Sequence, residues 1–303
     1  MTASRSPISE HMDDRTTLHT AARRYCEDRF SEWTQTYNEL DAKGNVQIED
    51  KFKPGWDYSE EAYGVFPRYR MDKAIRIEVE RLAPESSNSL EELRSQLINA
   101  SDIAESRLRT ELKNEIARKA LREEAENYKT YIRILSEGDL VGIAPLPFRR
   151  VLAEKESKEL WDQLKMTWDI GQGYWFPLRE GPIPPNVLAF HVDYFKAISG
   201  FALLHDALVQ RGISRVFELH EFDPDEPDYE IELSIFEPAY RWGGEQYCTA
   251  VGVDWVVYAS HESSITIGGW LAEMLKEKWP ECPARTYAGP YSTDDLRGTW
   301  KWE

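Results

Sequence analysis

Cysteine is scarce in this chain: Cys26, Cys248 and Cys282 are the only three in 303 residues, far apart and without a Cys-x-x-Cys pair. Such a set builds neither a disulfide framework nor a structural zinc site, and a reducing cytoplasm is the expected compartment. Long apolar runs are missing too. No stretch approaches the roughly 20 apolar residues of a membrane helix, and the first 14 residues lack the apolar core of a signal peptide, reading instead as a mobile polar tail. Positive charge is in deficit, with 37 Lys and Arg against 54 Asp and Glu, a net charge of −17. That field repels phosphates and anionic lipid, so nucleic acid and membranes are excluded as expected partners and a basic protein is favoured. There is no Gly-x-Ser-x-Gly elbow, no His-Glu-x-x-His, no His-x-His and no calcium loop, and the Gly-x-Gly at 171–173 lacks the strand and helix that frame a phosphate loop. No metal and no cofactor is expected.

What is present is enough apolar and aromatic side chain for real cores: 41% hydrophobic residues, with 11 Trp, 15 Tyr and 11 Phe. The charge is uneven. Residues 1–150 carry 24 Lys and Arg against 28 Asp and Glu, whereas residues 151–303 carry 13 against 26. The expected fold class is α+β: a helical N-terminal half at 15–180 with one long helix, then at 186–303 a mostly antiparallel sheet of four or five strands packed against helices. The Pro-rich stretch 180–185 is the expected linker.

In the N-terminal half, an apolar stripe from Leu18 to Tyr37 predicts a helix over about 16–40, stopped at Gly44-Asn45. The aromatic, Pro- and Gly-broken stretch 52–67 reads as a loop pinned by its rings, and about 72–82 as a short helix or strand. Ser89-x-x-Glu92 is a capping box. From it, apolar residues recur at steps of three to five as far as Leu135, predicting a helix over about 89–136 whose likeliest break is Asn99 to Asp102. Its interleaved basic and acidic residues read as a solvated face, and the helix is also read as a homo-oligomerisation arm.

In the C-terminal half, Asp193 is the expected cap of a helix running to Gly212. Strands are predicted at Ser214–Phe222, Tyr229–Phe236, Glu245–Val251, Asp254–Ser260 and Ser264–Ile267, followed by a helix to Trp279. The strict alternation of Tyr229, Ile231, Leu233 and Ile235 with Glu230, Glu232 and Ser234 predicts one packed and one wet face. If the strands pair in order, Glu218, His220, Glu230 and Glu232 share the wet face.

Two functional readings follow. In the first, that acidic face, rimmed by Trp242, Tyr258, His261 and Glu262, engages a basic protein, as an immunity- or inhibitor-like neutraliser would. In the second, His261 or His220 works with nearby carboxylates as a small hydrolase, in a pocket between the two halves.

Overall fold

A computed structural model describes residues 13–49, 56–170, 175, 186–221, 226–238, 244–261 and 263–280. The chain divides into two compact units, Met1–Leu146 and Pro147–Glu303. The segment 149–168 therefore belongs with the sheet, because Arg149–Val151 pairs with one of its strands. The stretch 180–185 lies outside the described residues.

The first unit is a helical bundle: α1 (Asp14–Ala42), the short hairpin β1 (Gln47–Glu49) and β2 (Trp56–Tyr58), then α2 (Glu60–Glu80), α3 (Leu90–Arg109), α4 (Glu115–Ile134) and α5 (Glu137–Leu140). Each long helix starts on a side-chain cap. Asp13 accepts from the amides of Arg15 and Thr16, Ser59 from Ala62, Ser89 from Glu92, and Asn114 from Ile116 and Ala117. Such a cap contributes about 1 kcal/mol. The capping box is half made, since the Glu92 carboxylate accepts from the backbone of Asn88 rather than Ser89.

Two expectations are corrected here. The 89–136 helix is an antiparallel pair, broken at Thr110–Asn114 and not at 99–102. Its apolar stripe (Leu93, Leu97, Ala104, Leu121, Ala125, Tyr128, Ile132) is spent inside the bundle core. The residues 60–67 are helical, and Pro67 sits inside α2.

Within the bundle several charges are enclosed. Arg23 and Glu80 pair at 3.1 Å, both almost fully buried. Glu124 is fully buried and holds two arginines, accepting from Arg29 at 2.8 and 3.1 Å and from Arg68 at 3.4 Å. Both guanidinium groups stand over the Trp33 ring, at 4.8 and 5.0 Å from its centroid.

The second unit is α+β. Its elements are β3 (Arg149–Val151), α6 (Glu154–Trp168), β4 (Val187–His191), α7 (Val192–Ala197), α8 (Gly200–Gln210), β5 (Arg215–Glu221), β6 (Tyr229–Glu232), β7 (Glu245–Thr249), β8 (Trp255–Ala259), β9 (Ser264–Gly269) and α9 (Trp270–Lys278). The sheet has seven strands rather than four or five, in the order β3-β6-β5-β7-β8-β9-β4, with every pair antiparallel. The two strands absent from the sequence reading, β3 and β4, are its edges. The predicted helix from Asp193 is split into α7 and α8 at Ser199, whose φ is +58°. Its cap is the His191 side chain, which accepts from the Asp193 amide. The strand expected at 229–236 stops at Glu232 and tightens into a 3-10 turn at Leu233–Ile235.

The wet face is the largest correction. Every residue of β7 and β8 is buried, because both sides of the sheet are covered. On one side Leu160, Leu164 and Trp168 of α6 pack with Trp175 over Leu219, Tyr247, Val256 and Tyr258. The other side carries Trp255, Val257, Ile265 and Ile267, and α9 packs on β8 and β9. The contact with α6 is close: a Cβ on Gly268 would lie 2.7 Å from the Trp168 ring.

Candidate functional site

Register decides which predicted site residues meet. Phe217 faces Glu230 across β5 and β6, while Glu218 faces Tyr229. Since side chains alternate along a strand, Glu218 and His220 stand on one side of the sheet and Glu230 and Glu232 on the other. The four do not share a face. Glu218 is buried, accepts from the Gln246 amide at 2.8 Å, and lies 3.6 Å from Arg149, whose guanidinium covers the Tyr229 ring at 3.8 Å. His220 is held by Nδ1 against the Pro227 carbonyl at 3.0 Å and edge-on to Tyr229. Glu230 is neutralised by Arg150 at 2.7 Å and Arg215 at 3.5 Å. Glu232 caps the turn at its own strand end, accepting from the Phe148 amide and the Ser234 hydroxyl, and those bonds hold its carboxyl below the usual range. Ile231 and Leu233 are buried as expected, with Glu230 and Glu232 only half-buried beside them. Trp242 and Glu262 lie outside the described residues.

The residues that do converge lie at one end of the sheet. β5 finishes at Glu221 and β7 begins at Glu245, directly opposite. Both carboxylates point to the side covered by α6, and both are buried. The end of β8 delivers His261, whose backbone amide donates to Glu245 at 3.2 Å and whose Nδ1 rests on the same carboxylate. The Tyr247 hydroxyl donates to Glu221 at 3.3 Å, its ring lies 4.5 Å from that of Tyr258, and Trp161 of α6 meets Tyr247 edge-on. Lys165 stands over Trp161 at 5.2 Å. Burial among these rings pushes the Glu221 carboxyl up to about 7, with the Tyr247 bond opposing and the Glu245 charge adding.

The same end is acidic around its rim. Glu154 and Glu156 open α6, Glu226 and Asp228 precede β6, and Asp193 follows β4. Asp228 ties the rim together, accepting from the Ser157 hydroxyl, from Trp161 Nε1 at 2.9 Å and from the His220 amide at 2.8 Å. Glu156 and Glu226 are met by Arg150 and Arg149, whereas Glu154 and Asp193 are exposed. Among the described residues no group of three or more His, Cys, Asp or Glu side chains is placed to hold a metal.

Of the predicted residues, only His261 and Tyr258 come together here. The carboxylate under His261 is Glu245, which is not among the residues predicted from the sequence. The signal available was a glutamate at the first position of an otherwise uncharged run, Glu245-Gln-Tyr-Cys-Thr249, opposite a second glutamate ending its neighbour. No family model, no curated protein and no solved structure matches the chain.

Proposed function

We propose that the protein is a binding module that engages a basic protein partner, an immunity- or inhibitor-like neutraliser, through the acidic end of its seven-stranded sheet. The observation that carries the reading is the facing pair Glu221 and Glu245. Two buried carboxylates directly opposite each other repel and lose hydration, so they weaken the sheet where they stand. An incoming lysine or arginine relieves both costs, and the Trp161 and tyrosine rings beside them suit a partly desolvated cation. Rim carboxylates at Glu154 and Asp193 would draw the partner in at long range, consistent with 26 acidic against 13 basic residues over 151–303. No helix among the described residues is long and apolar enough to cross a membrane.

The test is to recover the partner on the tagged full-length chain and titrate it at low and high salt. Glu154→Lys with Asp193→Lys should weaken binding by about tenfold or more at low salt, mainly through association rate, and flatten the salt dependence. An affinity indifferent to both salt and charge reversal would end this reading.

One observation favours a second reading. A carboxyl near 7 beside a His–Glu pair is the kind of group that moves protons at neutral pH. A hydrolase would use Glu221 as the base and Glu245 to orient His261. Activity in a broad hydrolase screen that disappears in folded Glu221→Gln and His261→Ala variants would establish it.

A further inference from the structure

At the other end of the sheet, the turn after α8, the start of β5, the β7–β8 turn and the first residue of α9 line an open cavity of about 390 Å³. Its size is that of a small-ligand site. Arg211, Arg215, Asp254, Trp255, Trp270 and Val251 line it. Arg215 is already engaged, pairing with Glu230 and stacking on Phe148 at 3.7 Å. Arg211 is different: its guanidinium lies 4.7 Å over the Trp270 ring, and no carboxylate among the described residues pairs with it. Asp254, exposed in the same cavity, has no cationic partner among them either. Trp255 is fully buried beneath, and its indole N–H has no acceptor among the described residues.

One cavity thus offers an unpaired cation, an unpaired anion and an apolar aromatic wall. A guanidinium stacked on a ring is rigid and presents its donors to a carboxylate. An isolated carboxylate in the same cavity disfavours a simple anion and rewards a ligand that brings its own positive charge. We infer that this cavity binds a small zwitterion with an apolar body, a free aromatic or branched-chain α-amino acid. Its carboxylate lies on Arg211, its ammonium group faces Asp254, and its side chain lies along the Trp270 and Val251 wall. A peptide C terminus shares the carboxylate and the apolar side chain but lacks the adjacent ammonium group.

The experiment is calorimetric titration of the full-length chain with L-leucine, L-phenylalanine, N-acetyl-L-phenylalanine and L-phenylalaninamide. Binding of at least one free amino acid is expected, with both blocked forms of phenylalanine weaker by about tenfold or more. Arg211→Gln, an exposed position whose variant is checked for native circular dichroism, should weaken the free amino acids by a similar factor. Asp254→Asn should erase the preference for the free over the acetylated ligand. The inference is overturned by no binding up to about 10 mM, by binding that Arg211→Gln leaves unchanged, or by equal binding of N-acetyl-L-phenylalanine, which would assign the cavity to peptide C termini.

Discussion

Asp72 lies in the interior of the helical unit with no exposed surface and no hydrogen bond to either carboxylate oxygen from the described residues. Its neighbour Glu124 has taken both nearby arginines, Arg29 and Arg68. Two buried acids therefore meet opposite fates: Glu124 is held by cations, and burial pushes Asp72 up to about 9, with the Glu124 charge adding and the two arginines opposing. A raised carboxyl means that the folded chain keeps a proton the unfolded chain releases. Its stabilising share is complete below about 4, the ordinary value, and is lost steadily as pH rises towards 9. Asp72→Asn should accordingly stabilise the helical unit by about 2–4 kcal/mol at pH 8 and by little at pH 4, read from urea unfolding. An Asn variant no more stable than wild type at pH 8 would contradict this environment. Glu221 obeys the same sign over a narrower window. Its share is lost between about 4.5 and 7, so Glu221→Gln should gain about 1–3 kcal/mol above pH 7.5 and nothing at pH 4. The sequence announced neither group. Asp72 follows a methionine in an apolar pattern and looks like any helix-surface acid, and its surroundings are set by α1 and α4, which bring Arg29 and Glu124 to it from distant parts of the sequence.

At the scale of elements, glycine controls one junction. Gly269 ends β9 and leads into α9 with φ +78°, a region that L side chains rarely adopt. A Cβ there would also collide with the Asp254 carbonyl oxygen. Gly269→Ala should cost about 2–4 kcal/mol, visible as a lowered unfolding midpoint, and a neutral substitution would deny the close approach of the two strands. The predicted strands at 214–222, 245–251, 254–260 and 264–267 lie within a few residues of β5, β7, β8 and β9. The break in the 89–136 helix leaves no mark in the periodicity, because Leu108, Leu112 and Ile116 continue the four-residue step straight through the turn. Asn114, which caps α4, was the local clue. β3 and β4 are equally hidden, because Arg149-Arg150-Val151 has no alternation to read and Val187–His191 is a short apolar run behind prolines. The face assignment went astray because alternation in a single strand does not give the register of its partner. Glu230 and Glu232 do flank a buried Ile231, but Phe217 and not Glu218 stands beside Glu230.

At the scale of the whole molecule, the order of helix and strand patterns anticipates the α+β architecture, composition gives the acidity, and topology decides where that acidity lies. The central strands of the seven-stranded sheet are covered on both sides, and the charges within its strands, Glu218 and Glu230, are met by Arg149 and Arg150. Glu221, Glu245 and the exposed rim carboxylates occupy one end, while Arg211 and Arg215 mark the other. The central claim is that the facing glutamates await a cation. At pH 7 Glu221 is partly protonated, and a lysine or arginine arriving beside it favours the carboxylate, so binding must expel a proton. Calorimetric titration of the recovered basic partner, in two buffers of different ionisation enthalpy at pH 7, reads that proton directly. The account expects release of about half a proton per complex, absent in Glu221→Gln, and binding without proton release by the wild-type chain would contradict it.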